Sequence, residues 1–173
     1  MKKHTILFLA AHPSGTDRLA LDREARAIRV ELERSGYRDC FELETRWAAE
    51  PLDLLRELRR LRPTVVHFSG HGGRSGEHEH RPVPSPHRDG AAGEPGLHGE
   101  LQHGLLFHGA GGGAQVVSTD ALERTLAAAG TSVKLVVLSA CYSEAHAAAL
   151  LAHVDCLVGM RGSIHDAATF CAS

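Results

Sequence analysis

Two short runs in this 173-residue chain end on side chains able to do covalent chemistry. Val65-Val66-His67-Phe68-Ser69-Gly70-His71-Gly72 is apolar and β-branched until it stops at an imidazole set among glycines. Val136-Val137-Leu138-Ser139-Ala140-Cys141-Tyr142 follows the same pattern and stops at a thiol. Lying side by side as parallel strands, the two runs would deliver imidazole and thiol to one carboxyl edge of a sheet, where ligands gather in open α/β folds. A thiol is a nucleophile only as thiolate, and an ordinary pKa of about 8.5 leaves a few per cent ionised at neutral pH. An imidazole across the strand ends can take that proton and return it to a leaving amine. A strand-to-helix junction at Cys141 would add the positive end of a helix to the sulfur. The small residues around both (Ser69, Gly70, Gly72, Gly73, Ser139, Ala140) let a peptide backbone approach. They make the main-chain N–H groups of Gly72 and Cys141 candidates for an oxyanion hole. The predicted chemistry is thiol-based acyl transfer, with His71 as base and acid and Cys141 as nucleophile.

Plainer readings compete for each residue. A cysteine that ends a core strand is usually packing, and His67, inside its run, reads as a satisfied core or interface histidine. His71 differs because it follows the run and is flanked by glycines; the pair at matching positions favours catalysis. Residues 70–73 and 109–113 are rich in glycine, yet neither forms a Walker lysine motif or a Gly-x-Gly-x-x-Gly turn after the first strand, so no phosphate site is expected. His78, His80, His87, His98 and His103 are imidazoles suited to transition metals. Their irregular spacing points to adventitious binding, and neither a metal nor another cofactor is expected. Arg161 and Asp166 follow the fifth predicted strand at the same sheet edge, as solvated charges or as part of a substrate pocket.

The elements that must carry these residues alternate strand and helix. Residues 5–11 read as a strand buried on both faces. Residues 17–34 carry Leu21, Ala25, Ile28 and Leu32 at helical spacing, closed by Gly36. Residues 41–47 alternate apolar and charged, as an edge strand does, and Pro51 opens a helix over 52–61 that Pro63 ends. Residues 64–69 form the third strand. The stretch 70–113 then holds 13 of the 18 glycines and four of the seven prolines, so it reads as a long functional or disordered loop. Within it, residues 105–107 and 115–117 could pair as a hairpin. Ser118 or Thr119 caps a helix over 120–129, stopped by Gly130. A fourth strand over 133–139 leads to Cys141, a helix over 143–153 follows, then a fifth strand over 156–160 and a helix opening at 166. The prediction is one α/β domain over 1–173, with a mostly parallel sheet between helices. The last helix is cut short at Ser173, so the sequence reads as a domain truncated at its C-terminus.

Composition bounds the setting. A net charge of −2 gives no basic face for nucleic acid. The longest apolar runs, such as residues 6–11, fall far short of a membrane span, and the charges at Asp17, Arg18 and Asp22 follow too closely for a signal peptide. Cys40, Cys141, Cys156 and Cys171 are widely and irregularly spaced, which suits free thiols in a reducing, cytoplasmic compartment better than a disulfide framework or a zinc ribbon.

The same residues resemble a family. Residues 6–16 followed by Leu21-Asp22-Arg23-Glu24, the run 65–72, Val137-Leu138-Ser139-Ala140-Cys141-Tyr142-Ser143-Glu144, Val158-Gly159-Met160 and Asp166-Ala167-Ala168 are similar to bacterial CHAT domains. These are caspase-like cysteine peptidases related to the caspases and separase. The resemblance implies a caspase-like three-layer sandwich and endopeptidase activity on a protein or peptide substrate through an acyl-enzyme. It implies His71 as general base and acid, Cys141 as nucleophile, Gly72 and Cys141 as oxyanion-hole amides, and Asp166 as an acidic position shaping the substrate pocket. It also implies a place in signalling or defence, beside a sensor or adaptor protein. Two departures mark the chain: the His/Gly/Pro-rich insertion over 74–103, where the family has a short hairpin, and the lack of the family's last helix and strand. The second makes a catalytically weak or inactive interaction or sensor module the alternative. A flavodoxin-like ligand-binding domain is a third, weaker reading.

Overall fold

The computed structural model of the protein describes residues 3–74 and 103–162. Strand β1 (His4–Ala10) is apolar on both faces, and from Ile6 onward every residue of it is buried. That pattern fits only a strand covered above and below, and β1 accordingly lies inside the main sheet. Strand β2 (Phe41–Trp47), with charges at alternate positions, takes the edge beside it. With β3 (Val65–Ser69), β7 (Leu135–Ser139) and β8 (Cys156–Val158), the sheet has five strands in the order β2-β1-β3-β7-β8, every neighbouring pair parallel. The order reverses between β1 and β3, so the carboxyl ends of these two strands mark the switch point at which such sheets bind ligands.

Helix α1 (Leu21–Arg34) covers one face, packing Leu21 and Ala25 on Phe8 and Ala10. Helices α2 (Pro51–Leu61), α3 (Thr119–Ala129) and α4 (Ala147–Leu150) cover the other. There Leu54, Leu58, Leu122, Leu126 and Leu150 close over Leu7, Leu9, Val66, Phe68, Val136 and Leu138. The ends of these helices follow local chemistry. The Glu50 N–H donates to the Asp53 carboxylate at 3.0 Å at the start of α2, and the Ser118 hydroxyl accepts the Ala121 N–H at 3.3 Å at the start of α3. The result is the expected α/β, caspase-like three-layer sandwich. Among the described residues no helix is long and apolar enough to cross a membrane.

A second, antiparallel sheet of three strands sits on the α2 and α3 side: β4 (His71–Arg74), β5 (His103–His108) and β6 (Ala114–Ser118), in that order. It is anchored by Leu105, Phe107 and Val117 in the main core, with the Phe107 and Phe68 rings 4.9 Å apart. Strand β5 with β6 is the expected hairpin, but β4 was not expected. Its glycines have no intrinsic strand preference, and pairing with β5 alone makes it a strand.

Three boundaries differ from expectation. Helix α1 starts at Leu21, not 17, because residues 17–20 belong to the connection that crosses the sheet edge. The helix over 143–153 is instead a 3-10 turn (Ser143–His146) and the single turn α4. The N–H groups of Tyr142 and Glu144 are taken by the carbonyls of Gly162 and Met160, at 3.3 Å each, so the segment is tied sideways to the β8 exit. Strand β8 stops at Val158 for the same reason. The insertion loop lies outside the described residues from 75 to 102, as does the helix expected from 166.

Candidate active site

The two reactive residues hang from neighbouring strands whose register is set rung by rung. Ser69 lies opposite Ser139 in the β3–β7 ladder, and His71 and Cys141 each follow two residues later. Gly70 makes the first step beyond β3, and its N–H donates to the Ser139 carbonyl at 3.1 Å. The Ala11 N–H likewise donates to the Ser69 carbonyl at 3.0 Å. A side chain at Gly70 would come within 2.7 Å of the Ala11 carbonyl oxygen and 2.9 Å of the Phe68 ring. The ends of β1, β3 and β7 are therefore packed backbone to backbone.

Gly72 makes the closest approach. A Cβ on it would collide with the carbonyl oxygen of Cys141 and lie 3.1 Å from the carbonyl carbon. Only glycine admits this contact. It brings the His71–Gly72 segment against the main chain of Cys141, so the predicted base, the predicted nucleophile and both predicted oxyanion-hole amides share one end of the sheet.

The imidazole of His71 has its orientation set from above. Its Nε2–H donates to the main-chain carbonyl of Asp17 at 2.8 Å. A carbonyl can only accept, so in the neutral ring the proton is on Nε2 and the lone pair on Nδ1. The connection over 11–20 that supplies this carbonyl is itself held. The Ser14 N–H donates to the Gly112 carbonyl at 3.1 Å. The Thr16 hydroxyl donates to the Pro13 carbonyl at 2.8 Å, and the His12 N–H donates to His108 Nε2 at 3.1 Å. The His12 ring lies beside that of His71, centroids 5.9 Å apart.

Cys141 is half-buried, and the exposed Tyr142 after it holds a left-handed backbone, φ 54°. Ser143, fully buried, turns the chain back: its hydroxyl donates to the Leu138 carbonyl at 3.0 Å and accepts the Met160 N–H at 2.9 Å. The sulfur therefore stands at a tight turn, and the long helix whose dipole was expected to assist it is replaced by a 3-10 turn and the short α4. Arg161 stands at the same edge, 92% exposed, with its Nε donating to the Glu144 carboxylate at 2.9 Å. Asp166 lies outside the described residues, as do His78, His80, His87 and His98. Among the described residues no group of three or more His, Cys, Asp or Glu side chains could hold a metal ion.

Over the Ser69–Ser139 rung, two residues before His71 and Cys141, lies a polar cluster. Glu24 of α1 accepts a hydrogen bond from the Ser139 hydroxyl at 2.7 Å, and a second, short one from the Ser69 hydroxyl. His67 Nε2–H donates to the same carboxylate at 2.8 Å, with the Ser139 oxygen 3.3 Å away. Burial pushes the Glu24 carboxyl up. The hydrogen bonds from His67, Ser69 and Ser139 outweigh that and hold it below the ordinary carboxylate range. His67 is thus a satisfied histidine.

Sequence reasoning missed Asp17, Glu24 and Ser143. Asp17 and Ser143 left no readable signal, since one acts through its backbone and the other through a fold-specific turn. Glu24 did leave one: it lies three residues after Leu21 and four before Ile28, so a carboxylate flanks the buried stripe.

The sequence of this chain matches the family model described as the CHAT domain over residues 4–170. No curated protein matches it.

Proposed function

The chain belongs to the CHAT domain family, whose caspase-like relationship gives it a protease-like role, and we propose that it is a cysteine endopeptidase. The observation that carries this reading is the contact of Gly72 with the Cys141 carbonyl, which sets the His71 segment against the nucleophile. The Asp17 carbonyl on His71 Nε2 supports it, because it leaves Nδ1 as the basic nitrogen.

In the proposed reaction, Nδ1 of His71 takes the thiol proton, and the Cys141 sulfur attacks the carbonyl carbon of a peptide bond. The oxyanion is met by the amides of Gly72 and Cys141. The C–N bond breaks, the amine leaves with the proton from the imidazolium, and a thioester remains. Water, deprotonated by His71, then attacks the thioester. The new carboxyl end leaves, and the thiol regains its proton. Asp17 orients the ring throughout through its carbonyl, and Arg161 flanks the substrate; a pocket role for Asp166 rests on the family resemblance. The substrate is a protein, cleaved in a reducing cytoplasm where the Cys141 thiol persists. Activation through a sensor or adaptor protein fits this reading.

Hydrolysis of a diverse peptide library tests it. The protein should cleave a subset of sequences, and Cys141→Ala and His71→Ala should each abolish cleavage. Cleavage retained by Cys141→Ala would refute it.

A further inference from the structure

We propose that Glu24 is a positioning residue for the His71–Cys141 pair, an inference that rests on the peptidase reading above. Its carboxylate is bonded at once to the hydroxyl of Ser69 on β3 and to that of Ser139 on β7. These two serines face each other across the ladder, and each stands two residues before a reactive side chain. Their carbonyls are fixed as well, by the N–H groups of Ala11 and Gly70. The last rung of the sheet is therefore held by backbone bonds in its plane and by one carboxylate from above. Two residues of extended chain reach about 6.6 Å, so relative slippage of the two strand ends passes almost undiminished to the imidazole and the sulfur.

Packing alone does not call for this arrangement. The neighbouring positions between α1 and the sheet are Phe8, Ala10, Leu21 and Ala25, and apolar residues would close the rest of that face without desolvating a charge. The cluster instead brings four polar side chains together, with the carboxylate kept ionised as a pure acceptor facing three donors: both serine hydroxyls and His67 Nε2–H. Such an acceptor fixes both hydroxyls at once. In this role Glu24 acts through the two strand ends.

Site-resolved alkylation by iodoacetamide tests this, with Cys141 measured against the exposed Cys156 at the opposite end of the sheet, together with peptide turnover. Glu24→Gln, close in shape, should slow Cys141 alkylation and reduce kcat about tenfold while KM changes less than about twofold, since sub-ångström misplacement costs rate before binding. Ser69→Ala and Ser139→Ala, which each remove one donor to the carboxylate, should each give part of this loss. Combined with Glu24→Gln, they should add nothing further, the mark of one shared path. A merely structural role would lower the thermal midpoint and the fraction of folded protein but leave kcat per titrated site unchanged. Glu24→Gln within twofold of the parent in both rates, while His71→Ala suppresses them, would overturn the positioning role and leave the peptidase reading intact. Cys141 alkylation unchanged by His71→Ala would overturn both.

Discussion

No side chain fits between Gly72 and Cys141: the α-carbon of the one faces the carbonyl oxygen of the other so closely that a methyl group would collide with it. The contact joins the small antiparallel sheet, which begins at His71, to the turn that presents the thiol. Gly72→Ala should therefore separate His71 from Cys141 without unfolding the core. The expected loss in Cys141 reactivity is about 100-fold, with a stability cost of about 1–3 kcal/mol for the overpacked contact. Parallel measurement of alkylation rate and thermal midpoint separates the two. A fully reactive Gly72→Ala variant would show that the approach of these segments is incidental.

The left-handed backbone at Tyr142 makes a second prediction. An L-residue there stores about 1–2 kcal/mol relative to glycine, against which glycine loses part through its greater unfolded-state freedom. Tyr142→Gly should leave the folding free energy near that of the parent or raise it. Tyr142→Val, β-branched, should lower it by about 2 kcal/mol relative to Tyr142→Gly. Denaturant titration of the pair checks this, and equal stabilities would mean that the turn relaxes out of the left-handed region.

Glu57 on α2 links the helix to β2 and is expected to contribute to acid sensitivity. It accepts from Arg60 at 2.7 and 3.0 Å and from Arg46 at 2.9 Å. Burial raises its pKa, but the two guanidinium groups more than compensate and hold the carboxyl below its ordinary range. A lowered folded-state pKa contributes stability above the unfolded-state value, lost as pH falls through the folded one. Glu57→Gln should cost about 1–3 kcal/mol near neutrality, and the gap to the parent should close as the medium becomes acid. Urea midpoints from neutral pH downward test the sign, and a gap that stays constant would contradict it.

Much of this was legible because the main sheet is built from strongly patterned runs. The buried run of β1, the alternating β2, the pair of runs ending at His71 and Cys141, and the Ser118 cap of α3 all carry their structure locally. Strand β4 was not legible, since Gly72 and Gly73 become a strand only by pairing with Leu105 and Gly104. The shortened segment after Cys141 was hidden for a related reason. Its residues favour helix, but Ser143, Tyr142 and Glu144 spend their polar groups on Leu138, Met160 and Gly162, the last two well removed in sequence. The types and spacing of the reactive residues could be read, whereas the roles of Asp17 and Glu24 could not, even though Glu24 stands visibly beside the buried stripe of its helix. Asp17 acts through a carbonyl that every residue has, and Glu24 acts through a register that only the folded ladder defines.

The central claim is that His71 activates Cys141, and capture by a peptide carrying an electrophilic ketone tests it most directly. Near neutral pH, intact mass and peptide mapping should find a single adduct on Cys141, with Cys40 and Cys156 unmodified. The adduct should be missing in Cys141→Ala, and its formation should be slower by about 100-fold or more in His71→Ala, the range a positioned general base supplies. Capture of Cys141 at the parental rate in a folded His71→Ala protein would contradict the account.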